Sequence, residues 1–214
     1  MDTARKTGGW LLSAVLLLGV LPHVAAGDAG EDLLDLYAET YRFRLGRPEV
    51  VRVTPDAAAV LFLRSGPRDP TRALFELDLA SGRERTLATA SDLLGGEAET
   101  LSAEEQARRE RQRVSARGIA SYELSPDGRS VLVPLSGRLF LVDRADGSVR
   151  ELAGSPVPAI DARFSPDGST VSCVRDGEIY LIGLADGVER PLTRGAGGGV
   201  THGLAEFVAQ EEMG

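Results

Sequence analysis

The sequence predicts an all-β fold, a β-propeller built from four-stranded antiparallel blades. The tetrapeptide Ser125-Pro126-Asp127-Gly128 recurs as Ser165-Pro166-Asp167-Gly168, and from Ser125 to Ser165 is 40 residues. Short alternating apolar segments, separated by turn residues, surround each copy in the same order. Four antiparallel strands in about 40 residues form a propeller blade, which buries its faces only against neighbouring blades.

The repeated tetrapeptide predicts a tight hairpin turn between the first two strands of a blade. Proline fixes φ at the first corner, aspartate can bond to nearby amides, and glycine accepts a positive φ. Around the first copy the strands are predicted at 120–124, 130–134, 139–142 and 149–152. Around the second copy they are predicted at 160–164, 170–174, 179–182 and 188–192.

A weaker copy of the same unit precedes these two. Its strands are predicted at 50–53, 59–63, 74–79 and 84–87, and its turn reads Thr54-Pro55-Asp56-Ala57, with alanine in place of glycine. We therefore place a helical lead-in at 27–48 and a partial propeller at 49–214, with blades at about 49–90, 119–153 and 159–193. A β-sandwich is the alternative, but it would not produce a 40-residue repeat in register. A closed ring needs typically four to eight blades, so three blades and a tail form an incomplete propeller.

The amino terminus predicts export. Arg5 and Lys6 precede an apolar run at 10–21, and small residues follow up to Ala26, where a signal peptidase would cleave. A retained membrane anchor is the alternative, but the run is short against the roughly 20 residues that span a bilayer. The expected location is periplasmic or secreted.

Composition excludes several functions. A formal net charge of -8 disfavours a nucleic-acid partner. Cys173 is the only cysteine and there are two histidines, so an intrachain disulfide is excluded and a zinc centre is not expected. We expect no metal and no cofactor.

A charged insertion at 91–118 separates the first two blades. Ser102 and Glu105 form an S-x-x-E capping box before an arginine-rich run, which predicts a helix with Glu105 and Arg109 paired at i, i+4. The helix lacks a broad apolar stripe, so it is predicted on the surface or over a cavity. It is either a solvated helix with ion pairs or part of a binding site.

The tail after the third blade, at 200–214, carries adjacent carboxylates at Glu211 and Glu212. Two anions together offer several acceptors to the three N–H donors of a substrate ammonium group. The pair is equally compatible with the solvated end of a helix.

The segment THGLAEFVAQEEM, residues 201–213, following these blades, closely resembles the double-glutamate segment of bacterial dipeptidyl-peptidase-IV-type serine peptidases of the prolyl oligopeptidase clan. The similarity runs from about residue 31 to the end. It implies a propeller that caps an α/β-hydrolase domain and an enzyme that removes dipeptides, with proline or alanine second, from peptide N-termini. It also implies that Glu211 and Glu212 bind the N-terminal ammonium group, assisted by an arginine. Arg109 is our choice, with Arg108 and Arg113 as rivals, and relatives are often homodimers.

This sequence departs from the family in one large respect. No Gly-x-Ser-x-Gly occurs in the 214 residues, and the hydrolase domain with its Ser-Asp-His triad is absent. We therefore expect the chain alone to be inactive and to be the propeller part of such an enzyme. Two other hypotheses stay open: a non-enzymatic, periplasmic TolB-like propeller that binds proteins, and a scaffold or sensor domain that has lost its enzyme.

Overall fold

The computed structural model describes residues 29–101, 105, 106, 109, 110, 117–152 and 155–204. Helix α1 (Ala29–Glu39) leads into three sheets, each with four consecutive antiparallel strands in chain order, and a fifth strand joins the first sheet by pairing in parallel with its third strand. Sheet 1 contains β1 (Glu49–Val53), β2 (Ala59–Ser65), β3 (Thr71–Asp78) and β4 (Glu84–Ala88), followed by helix α2 (Ala90–Leu94) and strand β5 (Arg117–Gly118). Sheet 2 contains β6 (Glu123–Leu124), β7 (Ser130–Leu135), β8 (Arg138–Asp143) and β9 (Val149–Leu152). Sheet 3 contains β10 (Ile160–Phe164), β11 (Thr170–Arg175), β12 (Glu178–Gly183) and β13 (Glu189–Pro191).

The predicted all-β fold of four-stranded antiparallel blades is confirmed. The strands at 149–152 and 160–164 have the predicted bounds, and most others differ by one or two residues. Two differences are larger: β6 has two residues where five were expected, and β3 begins at Thr71 rather than at residue 74. β3 is longer because its first residues pair both with the end of β2 and, in parallel, with β5. The contact with β5 joins distant segments, and alternation of apolar residues does not encode it.

The three hairpin turns have one geometry, fixed by the hydroxyl residue that begins each. Ser125 Oγ donates to Asp127 Oδ1 at 2.7 Å and accepts from Ser130 N at 2.9 Å. The same pair of bonds is made by Ser165 in sheet 3 and by Thr54 in sheet 1. In sheet 3, the hydrogen bond from the Ser165 hydroxyl, with those from the amide and hydroxyl of Ser169, lowers the pKa of Asp167 to about 2. Ala57 adopts the glycine conformation of the other two turns, with φ of 53°, so the imperfect first copy still forms the turn.

Two apolar cores join the sheets. The first core lies between sheets 1 and 2, and the second lies between sheets 2 and 3. Phe140 is the largest of its fully buried side chains and is 1% exposed. Tyr122 directly precedes β6 of sheet 2, and its hydroxyl lies 2.7 Å from Val50 O of β1 and 2.8 Å from Leu61 O of β2. A polar contact therefore also connects the start of sheet 2 to sheet 1. The sheets therefore pack face to face as successive blades do.

Each sheet also receives a backbone hydrogen bond from the segment that starts the next one. Ile119 N donates to Arg72 O at 3.2 Å, and Ala159 N donates to Gly137 O at 2.8 Å. After sheet 3, His202 N donates to Gly177 O at 2.7 Å in the corresponding way. The described part of the tail thus begins where a fourth blade would start.

Within the described ranges, no helix is long and apolar enough to cross a membrane.

Candidate functional site

The insertion after sheet 1 is anchored at its start by α2. Thr89 and Asp92 form a reciprocal capping box: Thr89 Oγ1 accepts from Asp92 N at 3.1 Å, and the Asp92 carboxylate accepts from Thr89 N at 2.9 Å. This pair satisfies two amides at the helix N-terminus. Leu93 and Leu94 are then buried in the first core. The insertion is therefore fixed to the apolar interior of the protein from its first turn.

Arg109 lies at the centre of the insertion, in helical backbone, between two carboxylates. Its Nε donates to Glu105 Oε1 at 2.8 Å, and its NH2 group donates to Glu99 Oε1 at 2.9 Å. The i, i+4 pair between Glu105 and Arg109 was predicted from the sequence and is confirmed. Charge-assisted hydrogen bonds of this kind hold a planar guanidinium in a defined orientation.

Glu99 joins this arginine to the end of the insertion. While Oε1 accepts from Arg109, Oε2 accepts from the backbone amide of Gly118 at 2.7 Å. Gly118 has a φ of 71°, and a Cβ placed there would lie 2.6 Å from Arg72 O. Only glycine fits this close approach of β5 to β3. One carboxylate therefore links the insertion helix to sheet 1.

The sequence predicted this helix on the surface or over a cavity, and the structure shows that its central ion pair is buried. Arg109 is 6% exposed and Glu105 is 9% exposed, and the Glu99 side chain is 17% exposed. Of the four described residues of this helix, Glu105 and Arg109 are buried and Gln106 and Glu110 are exposed, so the described part is buried through an ion pair. Glu99 was not predicted as part of the site, since it lies in a loop ten residues before Arg109 and no sequence pattern marks it.

The other residues predicted for the site lie outside the described residues. These are Glu211 and Glu212 of the acidic pair, the rival arginines Arg108 and Arg113, Ser102 of the capping box, and the leader at 1–26. The described tail ends at Leu204, after Gly203 packs against sheet 3. A Cβ at Gly203 would lie 2.7 Å from Val174 Cγ2, so the tail lies directly on that sheet.

A second acidic group lies where sheets 2 and 3 meet. Glu123 Oε1 accepts from Phe164 N at 3.3 Å, while its buried Oε2 has no hydrogen-bond partner among the described residues. Burial raises the pKa of the Glu123 carboxyl above its ordinary value of 4.5, and the Phe164 amide and the nearby Arg163 offset this only in part. The contact is a carboxyl bridge between blades, with one oxygen unsatisfied.

This bridge predicts a pH-dependent effect of Glu123→Gln. Since the folded pKa is raised, the cost of ionising Glu123 is absent below pH 4.5 and grows as the pH rises through the folded pKa. The melting temperature of the variant minus that of the wild type should rise by about 2 °C as the pH is raised from 4 to 7. Calorimetric melting across this range measures the shift.

Glu178→Gln is the control of opposite sign. Hydrogen bonds from Thr193 and from the amide of Ala196 lower the pKa of Glu178, so its ionised form stabilises the fold at neutral pH. The melting temperature of this variant minus that of the wild type should fall as the pH is raised from 4 to 7. If Glu123→Gln shifted in the same direction as Glu178→Gln, burial would not govern Glu123.

Three repeated four-stranded sheets, packed face to face, define this chain as a β-propeller-type protein. Residues 125–214 match the family model described as the dipeptidyl peptidase IV (DPP IV) N-terminal region. The match runs from the turn of sheet 2 through the acidic pair and supports a DPP IV-type N-terminal region in this part of the chain.

Two solved structures are similar over most of the chain. The crystal structure of TolB from Acinetobacter baumannii is 20% identical, with a TM-score of 0.45, covering 70% of this chain and 33% of that one. The crystal structure of Porphyromonas gingivalis dipeptidyl peptidase 4 is 21% identical, with a TM-score of 0.46, covering 75% of this chain and 21% of that one. The chain thus spans about a third and about a fifth of the lengths of these two proteins.

Proposed function

We propose that this chain is the substrate-recognition part of an exported serine exopeptidase that releases dipeptides, with proline or alanine second, from peptide N-termini. The observation that carries the proposal is the DPP IV-type match, because it extends through the segment with the paired glutamates. The leader at 1–26 supports export to the periplasm or the medium.

In this proposal Glu211 and Glu212 bind the α-ammonium group of the peptide. An ammonium group has three N–H donors, and two carboxylates supply both the acceptors and the opposite charge. An amine fixed in this way places the second residue, and not the first or third, before the bond to be cleaved. Recognition of the terminus therefore sets the length of the released product.

Arg109 assists this site as a fixed cation. Its guanidinium is held by Glu99 and Glu105 in a buried part of the insertion, so its orientation is defined before a peptide binds. Preorganised charges of this kind lose little entropy when a ligand arrives. The two carboxylates also balance the arginine charge, so the cluster does not repel a substrate ammonium group.

The chemical step needs a partner domain. No Gly-x-Ser-x-Gly occurs in these 214 residues, and acyl transfer requires a nucleophile, a base and an oxyanion hole. We assign that step to an α/β-hydrolase domain with a Ser-Asp-His triad, and we expect the purified chain to cleave nothing.

Calorimetric titration with two peptides tests the recognition. The chain should bind Gly-Pro-Ala amide with a free N-terminus at least about tenfold more tightly than its N-acetylated form, because acetylation removes the ammonium charge. Glu211→Ala combined with Glu212→Ala should abolish the difference. Joined to a hydrolase domain, the same variant should lose at least about a hundredfold in kcat/KM on Gly-Pro amides.

The control removes the same charge elsewhere. Asp32→Ala combined with Asp35→Ala, on the exposed side of α1, should leave the preference for the free N-terminus unchanged. Equal binding of both peptides by the wild-type chain would contradict the proposal and favour a non-enzymatic propeller.

A further inference from the structure

Glu99 holds two parts of the insertion at once, and its two oxygens have different partners. Oε1 binds the guanidinium of Arg109 at 2.9 Å, and Oε2 binds the amide of Gly118 at 2.7 Å. The residues that it joins are ten and nineteen positions further along the chain.

The Gly118 end of this link is rigid. Gly118 pairs with Arg72 of β3, and the next residue, Ile119, donates its amide to Arg72 O and is fully buried in the first core. The Glu99 carboxylate is thus anchored on sheet 1 through a backbone that can shift little. The other end of the carboxylate then determines where the guanidinium lies.

We infer that Glu99 is a positioning residue for the amine-recognition site, which orients Arg109 by clamping it to the backbone of β5. The inference rests on the proposed function and adds a residue to it. Glu99 itself does not touch the peptide. Because Glu99 is bonded to β5, it fixes the position of the Arg109 guanidinium relative to sheet 1. Loss of the Glu99 carboxylate therefore changes recognition through Arg109.

Glutamine at position 99 separates the two bonds of the clamp. The amide oxygen of glutamine can accept from Gly118 N, but its NH2 group is a donor and cannot accept from Arg109. Glu99→Gln should therefore keep the β5 contact and release the arginine. We expect the affinity for Gly-Pro-Ala amide to fall about tenfold and the affinity for the N-acetylated peptide to stay unchanged.

Glu97→Gln is the matched control. Glu97 lies two residues away in the same loop, and its side chain is 77% exposed, with an ion pair to Arg138 at 3.5 Å. The charge change is identical, but no bond to Arg109 or Gly118 is lost. This variant should bind both peptides as the wild type does.

A double-mutant cycle with Arg109→Lys tests whether Glu99 acts through the arginine. If it does, Glu99→Gln should weaken free-amine binding in the wild-type background and have no further effect in Arg109→Lys. A loss of about tenfold in both backgrounds would overturn the inference, as would wild-type affinity in Glu99→Gln. A variant that binds both peptides less well and melts at a lower temperature would show a structural role instead, and would overturn it too.

The experiment separates this inference from the proposed function. If the wild-type chain does not prefer the free amine, the function fails and the inference fails with it. If the wild type prefers the free amine and Glu99→Gln does so equally, only the inference fails.

Discussion

Replacing Arg109 by alanine is expected to reduce the free energy of unfolding by about 3 kcal/mol, because it removes the cation between two buried carboxylates. The Arg109 side chain is 7% exposed, and those of Glu99 and Glu105 are 17% and 12% exposed. In this setting the attraction is little screened by water, and the remaining charges repel each other. Urea denaturation followed by circular dichroism measures the loss.

An exposed arginine provides the matched control for this loss. The Arg129 side chain is 86% exposed, and its Nε lies 3.9 Å from the carboxylate of Asp127. Arg129→Ala should therefore change the free energy of unfolding by less than about 0.5 kcal/mol. Equal effects of the two substitutions would contradict the buried ion-pair cluster.

Phe140→Ala is expected to have an effect of similar size in the core. Phe140 is 1% exposed, between sheets 1 and 2, with the Arg138 guanidinium 5.0 Å from its ring centroid. Truncation of a buried phenylalanine removes apolar contact and leaves a cavity, at a cost of about 3–5 kcal/mol. The same urea denaturation measures it.

Phe43→Ala is the matched control for the core prediction. Phe43 is 50% exposed, and its ring packs edge to face against Tyr37, with the two ring centroids 5.6 Å apart. Its removal should cost less than about 1 kcal/mol, since little area returns to water. If Phe140→Ala cost no more than this, sheets 1 and 2 would not share a core.

The difference between the cluster and the core explains what could be predicted for this protein. Phe140 lies in an alternating apolar segment, so its burial follows from the strand pattern around it. Arg109 lies in a run of charges that is compatible with solvent, with a binding site or with a buried cluster. Its environment depends on Glu99 and Glu105, and only the second of these is close enough in sequence to be paired with it in advance.

The sequence by itself determined the blades. The hairpin turns depend on bonds between residues two to five positions apart, as between Ser125, Asp127 and Ser130, and such bonds form from local residue types. The repeat of 40 residues then determined that these hairpins belong to equivalent units, because each unit buries its faces only against the next.

Only the tertiary structure decided how the insertion is held. The parallel contact of β5 with β3 joins residues more than forty positions apart, and Glu99 reaches Gly118 across nineteen. Long-range pairs of this kind leave no periodic pattern, and a charged side chain is compatible with water or with a buried partner until the fold brings that partner to it. The sequence therefore predicted the blades and the pair between Glu105 and Arg109, but it could not predict the burial of that pair or the contact with Glu99.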